Sequence, residues 1–460
     1  MTRQDEQRLL DTMLPPLRVR SRAWYAWLAV LFALLLVGAV AYIIQLRRGL
    51  VVTGMSDQVF WGLYISNFVF WSGVSMAGTF VSAILRITGA EWRRPLTRIA
   101  ELSTVSALII AATMPLLDLG RPDRAWSMLV SGRIDSPLMW DLLVIPTYLA
   151  ASALFLYLFI IPDAAILRDQ MGGKVSRLRA GFYRLAALGW HDRPHQHRLL
   201  ERGAIIMAIL IIPIGVATHS VVSWIFGMTT RPGWDSTIFA PYFAVGALYS
   251  GTAMLITLMY IFRRVCHLEE YFTVQHFRYL GYFMAASGLL YLYFTFAEYL
   301  TVVYKPAESK APLLESLFFG EYAWLVWTSF IAGQIVPIAV AVLPWTRTIP
   351  LLVGAALLVN IGMWIKRYII VLPSLSLPLV GQEWAAYTPT WVEIAIVVAS
   401  FAGFALIFTL FAKLFPIIPI WEVSQGSHGN RPDEPGPGAR GPVMAGPAAP
   451  AMPVKGGHDG

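Results

Sequence analysis

Long apolar runs alternate with short polar segments along most of the chain. Ten of these runs reach the roughly 20 residues that a helix needs to cross a bilayer, and they fall at 23–46, 59–85, 99–119, 138–161, 203–226, 238–262, 280–303, 322–343, 349–371 and 391–415. The strands of a membrane barrel would instead alternate apolar and polar positions. The pattern therefore predicts an all-α polytopic membrane protein with about ten transmembrane helices.

Composition and the placement of charge support the same class. Of the 460 residues, 57% are hydrophobic and only 13% are charged, which is too little charge for the surface of a soluble domain of this size. The net charge of +8 would suit nucleic acid, but 25 of the 35 Lys and Arg fall in segments on one side of the bilayer when the N-terminus is cytoplasmic. The positive-inside rule then predicts that both termini are cytoplasmic. Lipid is the expected partner of this surface, and nucleic acid is not.

The polar segments divide the chain into three parts, the second of which contains one long loop. Residues 1–22 form a cytoplasmic N-terminal segment, 23–423 a ten-helix transmembrane domain, and 424–460 a tail in which 16 of 37 residues are Gly or Pro. Such a tail cannot bury a core, so we expect no regular structure there. The longest loop between spans, 162–202, carries apolar residues every three or four positions, which predicts a short interfacial helix on the cytoplasmic side.

A weak internal echo suggests how the spans are grouped. The sequences Ser-Met-Ala-Gly-Thr at 75–79 in the second span and Leu-Tyr-Ser-Gly-Thr at 248–252 in the sixth both end in Gly-Thr. Each precedes an apolar run that ends in Arg. Two four-helix bundles, spans 2–5 and 6–9, would explain it. Small residues with Thr are equally common wherever membrane helices pack closely, so both explanations remain open.

Ionisable groups inside predicted spans are the main candidates for chemistry, because burying them in lipid is costly. Asp118 ends the third span, Asp141 opens the fourth, His219 lies near the end of the fifth, and Asp235 precedes the sixth. In the predicted orientation all four lie near the outer face. They predict a polar pocket that opens there.

Each candidate also has an ordinary structural explanation. Asp118 could cap a helix end or pair with Arg121, Asp141 would be favoured by the dipole at the first turn of its helix, and Asp235 could be an N-cap. A buried ion pair could likewise account for three further residues in outer halves or at outer ends of spans, which are Glu298, Arg367 and Glu393.

His219 is the only histidine within a predicted span. Its ordinary pKa lies near the working range, so it could take one proton from a quinol hydroxyl while a carboxylate takes the second. A haem held inside the membrane would need a second intramembrane histidine, and the single Cys266 excludes a Cys-ligated iron–sulfur cluster or a CxxCH haem site within this chain. We therefore expect no haem or iron–sulfur cluster on this chain.

Four stretches of the sequence resemble a known family. Residues 62–78, the Asp-Leu-Gly-Arg-Pro motif at 118–122, and the segments 367–373 and 389–393 are similar to the NrfD/PsrC family, whose members are membrane subunits of bacterial respiratory complexes. The ten spans and the ending at 415–422 look most like the ActC-type subunit of alternative complex III. The similarity runs over roughly 59–423.

The resemblance implies a protein of the bacterial inner membrane, built on two four-helix bundles, that oxidises quinol or menaquinol near the periplasmic face. Electrons would pass to a partner iron–sulfur subunit, with a homologous NrfD-like subunit and cytochrome c subunits in the same complex. Proton translocation coupled to the reaction stays an open question at this point. The chain would be a subunit of a quinol:acceptor oxidoreductase that is inactive alone.

The resemblance, together with the depth of polar residues in the predicted spans, suggests which residues take these roles. His219, Asp141 and Asp118 are expected to be catalytic. Quinol binding would also use Asp235, Arg121 and Trp140. A proton path would use Glu101, Tyr148, Glu298, Arg367 and Glu393.

Two other functions fit a polytopic protein with buried charges. A secondary transporter would place its substrate site near the bilayer midplane, whereas the charges here gather towards the outer face. A structural anchor would hold redox partners in place without binding quinol. Only a bound quinone or inhibitor would separate the anchor from the quinol-binding interpretation.

The predicted orientation can be tested by labelling single cysteines. In a Cys266→Ser background, a Val175→Cys variant should react with a membrane-impermeant thiol reagent only after the membrane is opened, because residue 175 lies in the predicted cytoplasmic loop. Labelling of position 175 from outside intact cells would show that the orientation is inverted.

Overall fold

The computed structural model describes residues 13–14, 17, 21–171, 175–304, 308–378 and 383–426. Within these ranges all regular elements are helices, and ten of them are long and apolar enough to cross a membrane, which confirms the predicted fold class. They are α1 (Arg22–Arg48), α2 (Leu63–Ile87), α3 (Thr97–Asp118), α4 (Pro137–Met171), α5 (Pro194–Gly227), α6 (Phe239–Val265), α7 (Val274–Tyr304), α8 (Ala323–Val342), α9 (Ile349–Ser376) and α10 (Trp391–Leu414).

Successive long helices run in opposite directions. We name the end where α1 begins and α10 ends the inner end, and the opposite one the outer end. Several helices continue past the apolar runs, most clearly α4, which extends to Met171, and α5, which starts at Pro194. Hydropathy marks only the part of a helix that lipid would surround, so it cannot show how far the helix continues beyond the bilayer. The loop between α4 and α5 contains the short helix Arg177–Ala186.

The long helices form two four-helix bundles. In the first bundle α2, α3, α4 and α5 pack in a ring, and in the second α6, α7, α8 and α9 do the same. Contacts of α6 with α2 and α5 join the two bundles, while α1 packs on α10 at the side of the first. The predicted grouping of spans 2–5 and 6–9 is therefore confirmed.

The glycines of the internal echo lie at close helix contacts. A Cβ on Gly78 would come within 2.2 Å of the Ala100 carbonyl oxygen on α3, and a Cβ on Gly251 within 2.7 Å of the Val74 carbonyl oxygen on α2. The first contact lies within a bundle and the second between bundles. Close packing by small residues accounts for both, and the two positions are not structurally equivalent.

A buried ion pair fastens the inner end of the first bundle. The Arg98 guanidinium on α3 lies 2.6 Å from the Asp163 carboxylate on α4, and both side chains are fully buried. Arg98 also donates to the Pro416 carbonyl, while Asp163 accepts from the backbone N–H groups of Ile420 and Trp421. The pair thus holds two helices and the segment after α10 together.

The short helix Ile420–Gly426 is held by a second ionic cluster. The Glu422 carboxylate accepts hydrogen bonds from Arg86, in the last turn of α2, and from Arg93 in the loop that follows. Burial would raise the pKa of Glu422, but the two arginines outweigh it and hold that pKa below its usual range. The tail boundary predicted at 424 falls inside this helix, and 427–460 lie outside the described residues.

The Arg98–Asp163 pair gives a stability prediction. Asp163→Asn should lower the free energy of unfolding by about 3–5 kcal/mol, because it leaves the Arg98 charge buried without a counter-charge. Thermal unfolding of the detergent-purified complex would measure this. The matched control is Asp169→Asn, which removes the partner of Arg168 in an exposed pair on the same helix and should leave the melting temperature nearly unchanged. Equal shifts for both variants would contradict the assignment.

Candidate functional site

Two carboxylates lie at the outer ends of neighbouring helices. Asp118 is the last residue of α3, and Asp141 lies in the first turns of α4. In each carboxylate the Oδ1 atom is buried and has no hydrogen-bond partner among the described residues. Buried polar atoms in native proteins are normally hydrogen-bonded. These two oxygens are therefore candidates for contact with a ligand.

Polar contacts fix the helices around Asp118. Gln45 of α1 donates to the Leu117 carbonyl (2.7 Å), and the Tyr64 hydroxyl of α2 donates to the Gln45 amide oxygen (2.6 Å). Pairing of Asp118 with Arg121, one of the ordinary explanations for this carboxylate, is not found among the described ion pairs. The structure pairs Arg121 with Asp123 at 3.0 Å on the surface, so Arg121 does not line a buried pocket.

Trp140 contributes to the same end of the molecule in a different way. Its indole N–H donates to the Ile134 carbonyl in the preceding loop, and its ring lies 6.3 Å from the ring of Trp224 on α5. These contacts hold the loop before α4 against α5. Trp140 thereby supports the position of Asp141, the next residue along the helix.

His219 bridges two helices of the first bundle. Its Nδ1 lies 2.8 Å from the Gly215 carbonyl oxygen of its own helix, and its Nε2 lies 2.9 Å from the Ser72 carbonyl oxygen of α2. A neutral imidazole donates from one nitrogen only, so both contacts are hydrogen bonds only when both nitrogens carry a proton. Since each ring nitrogen already faces a carbonyl, a quinol hydroxyl would have to displace one of these contacts.

Asp235 lies in a third setting, beside the second bundle. Its carboxylate pairs with Lys310 at 2.7 Å, and the adjacent Ser236 donates to Glu298 of α7. No described contact joins any two of Asp118, Asp141, His219 and Asp235. A single pocket lined by all four was predicted from their common depth. Depth along the helices does not determine which helix faces meet, and the described contacts do not join all four residues into one pocket.

The residues expected to form a proton path are also dispersed. Glu101, in the inner half of α3, accepts from Ser82 and has a second oxygen, Oε2, that is buried without a described partner. Tyr148 donates weakly to the Ser75 carbonyl (3.4 Å). The described hydrogen bonds and ion pairs do not connect Glu101, Tyr148, Glu298, Arg367 and Glu393 into one chain.

Glu393 has a full set of structural partners. It accepts from the backbone N–H groups of Gly54 (2.7 Å) and Thr390 (3.1 Å) and from the Tyr387 hydroxyl. With Thr390 it forms a capping box at the start of α10, which satisfies backbone donors that the helix leaves open. These contacts favour a role in capping α10 and holding the loop after α1.

Arg367 is a buried cation between the bundles. Its guanidinium lies 4.9 Å from the ring centre of Phe243 on α6, and its Nη1 has no hydrogen-bond partner among the described residues. The expected ion pair of Arg367 with Glu298 or Glu393 is absent from the described ion pairs, because Glu298 bonds to Ser236 and Glu393 caps α10.

A large cavity lies in the second bundle, away from the four residues that predicted a pocket. It measures about 710 Å³ and is lined mainly by α7, α8 and α9. Most of its lining is apolar, and its polar groups are Thr295, Tyr299, Ser329, Gln334 and Lys366. A lysine inside a predicted span was the one sequence signal for it. Among the described residues, no group of three or more His, Cys, Asp or Glu is placed to hold a metal ion.

Comparison with known proteins gives a consistent result. The family model described as "Polysulphide reductase, NrfD" matches residues 51–378. A putative dimethyl sulfoxide reductase membrane protein of Halobacterium salinarum is 30% identical over 67% of this chain and 65% of that protein. The menaquinone reductase integral membrane subunit of Nitratidesulfovibrio vulgaris is 25% identical over 84% of this chain and 89% of that protein. A selenate reductase subunit of Mesobacillus selenatarsenatis is 23% identical over 76% and 82%.

The contacts of Glu393 predict the effect of neutralising it. Glu393→Gln should destabilise the protein by about 1 kcal/mol, as expected for a weakened helix cap, and should leave turnover of the complex within about twofold of the unmodified protein. Melting temperature and turnover would be measured together, with the exposed Glu91→Gln as control. A tenfold loss of turnover at unchanged melting temperature would instead place Glu393 in a proton path.

Proposed function

We propose, from the premise that this chain belongs to the polysulphide reductase NrfD family, that it binds quinol at the outer end of its first bundle and passes the electrons to a partner subunit. The family and the relatives establish the coarser part, a membrane subunit of a reductase-type respiratory complex. Menaquinone appears in the name of the Nitratidesulfovibrio relative and menaquinol in that of a 22% identical Archaeoglobus fulgidus relative. Both names support a quinol as the substrate.

One observation supports the placement of the site. Asp118 and Asp141 each present a buried carboxylate oxygen without a described partner at the same end of two helices that pack together. A carboxylate accepts a hydrogen bond from a quinol hydroxyl and can then take its proton. Oxidation of one quinol releases two protons and two electrons. In this proposal the two protons go to Asp118 and Asp141.

His219 has a different role in this proposal from the one expected from the sequence. Its ring is held between the carbonyls of Gly215 and Ser72, so it fixes α5 against α2. It is a positioning residue. The first proton acceptors are the two carboxylates, each of which has one oxygen without a described hydrogen-bond partner.

The electrons need an acceptor close to the outer end. The resemblance implies an iron–sulfur subunit in that place, as in complexes of the alternative complex III type, with a homologous membrane protein, cytochrome c subunits and coupled proton translocation. Basic residues of the outer loops offer a docking surface. Arg121, Arg133 and Lys310 pair with neighbouring carboxylates, and pairs of this kind near the surface exchange partners at little cost. Lys305, another basic residue of these loops, lies outside the described residues.

A secondary transporter is the alternative that a specific observation favours. The buried guanidinium of Arg367, with Nη1 lacking a described partner, would suit an anionic substrate inside the bundle. The relatives are named as membrane subunits of reductases and menaquinone enzymes, so we favour quinol binding. A structural anchor would not explain why Asp118 and Asp141 each have a buried carboxylate oxygen without a described partner.

Substitution of the two carboxylates tests the proposal. Asp141→Asn and Asp118→Asn should assemble into the complex and lower quinol oxidation about a hundredfold or more, because an amide of the same shape cannot take the proton. Turnover would be measured with the complex purified through a tag on this chain. The control is Asp123→Asn, which changes an exposed carboxylate of the neighbouring loop and should leave turnover unchanged.

Wild-type rates in both variants would remove the carboxylates from the reaction. If, in addition, the quinone of the active complex were found bound only to another subunit, the transporter or anchor interpretation would replace the proposal.

A further inference from the structure

The cavity in the second bundle has the size and shape of a site for a lipid-soluble ligand. Its volume of about 710 Å³ lies within the range of small-molecule sites, about 300–1,000 Å³. Its rim includes side chains of α7 and α8 that are about half exposed or more, among them Tyr293, Phe296 and Trp327. The cavity therefore opens sideways, on the face that lipid would cover.

A buried cation lies on the side of this cavity that faces the protein interior. The Lys366 side chain of α9 is almost fully buried, and its ammonium donates to the Tyr299 hydroxyl at 3.0 Å. The ammonium also lies 4.9 Å from the ring centre of Tyr299 and 5.8 Å from that of Tyr242. An ammonium has three N–H donors, and the described hydrogen bonds occupy one of them. A hydrogen-bond acceptor of a ligand fits this position.

A carboxylate near Lys366 balances its charge without a direct salt bridge. A smaller cavity, of about 50 Å³, shares Lys366 and Tyr299 with the large one and is also lined by Glu298. The Glu298 carboxylate accepts from Ser236, and the described ion pairs do not join it to Lys366. The lysine can thus stay charged while its donors face the cavity.

Gln334 supplies a second donor, from α8. It lies in a π-helical turn of α8, Ile331–Ile335, an irregularity that is frequent at functional sites. Its amide oxygen accepts from Thr295 at 3.3 Å, which leaves its amide N–H groups as donors. The turn is fixed next to α9 by a close approach of Gly333 and Gly362, where an added Cβ would come within 2.7 Å of backbone.

The depth of Lys366 in the membrane distinguishes two candidate ligands, a phospholipid headgroup and a ring compound that dissolves in the hydrocarbon core. Lys366 lies ten residues from Ser376, the outer end of α9, or about 15 Å along a helix. Headgroups lie outside the hydrocarbon core, which is about 30 Å thick. A ligand that reaches Lys366 and Gln334 must therefore carry its acceptor into the hydrocarbon region, as a quinone carbonyl does.

We propose that the cavity between α7, α8 and α9 is a second quinone-binding site. Lys366 and Gln334 donate hydrogen bonds to the ring carbonyls, and the apolar tail leaves through the opening beside Tyr293 and Trp327. The site is separate from the carboxylates of the first bundle. The inference rests on the proposed function, because it takes the quinone as the ligand of this chain.

Photolabelling of the whole complex tests the site. The purified complex would be irradiated with an azidoquinone and the labelled residues located by mass spectrometry. Label should appear on α7 and α8 near Tyr293 and Trp327, and excess unlabelled quinone should remove it. Lys366→Met, which loses the charged donor, should lower this labelling about tenfold or more.

Two further variants separate binding from folding. Leu292→Trp fills the cavity from its wall while Lys366 is retained, and it should also abolish the labelling near Tyr293 and Trp327. Lys413→Met, at the inner end of α10, removes a lysine that does not line the cavity and should leave the labelling unchanged. Label at α3 and α4 should persist in all three variants.

Each contrary result has a distinct meaning. Label on α3 and α4 with none on α7 and α8 overturns the second site and leaves the proposed function standing. Label on α7 and α8 that neither Lys366→Met nor Leu292→Trp reduces also overturns it. An unlabelled chain overturns both proposals.

Discussion

A charge inside a bilayer is stable only when groups of the protein replace the water it has lost. At the inner end of this protein, ion pairs meet that condition for several buried charges. Arg98 and Asp163 are paired within 2.6 Å and accept or donate further bonds to the segment after α10, and Glu422 is held by Arg86 and Arg93. In the outer half, the described ion pairs do not include Asp118, Asp141 or Arg367. Carboxylate oxygens of Asp118 and Asp141 and one nitrogen of Arg367 lack described partners, and this contrast directs attention to the outer half.

Most of the fold was predictable because membrane helices are specified by long local runs of apolar residues. All ten predicted spans correspond to helices, and the grouping into two bundles agrees with the observed packing. The ends were less predictable. Asp163 lies within α4 although the apolar run stops before it, because Arg98 and two backbone N–H groups compensate its charge. Nothing in the local sequence identifies partners that are 65 or more positions away.

The sequence predicted the end of the helices at which the candidate site lies, but it did not predict the contacts that each side chain makes there. Asp118 and Asp141 were chosen because polar groups at span ends are costly, and their unpaired oxygens agree with that choice. Arg121 was expected beside Asp118 and instead pairs on the surface with Asp123. His219 was expected to face a ligand and instead bridges two carbonyls. Rotation of each helix about its axis determines such contacts, and tertiary packing sets it. The α7–α9 cavity depends on three helices at once, so Lys366 alone could not reveal it.

The central claim is that this chain itself holds the quinol at the outer end of its first bundle. An experimental structure of the intact complex with a bound quinone analogue tests that claim most directly. The account predicts an analogue ring at the outer ends of α3 and α4, with an oxygen within about 3 Å of the Asp118 or Asp141 carboxylate. An analogue resolved only on another subunit, with both carboxylates paired to protein groups of that complex, would contradict it.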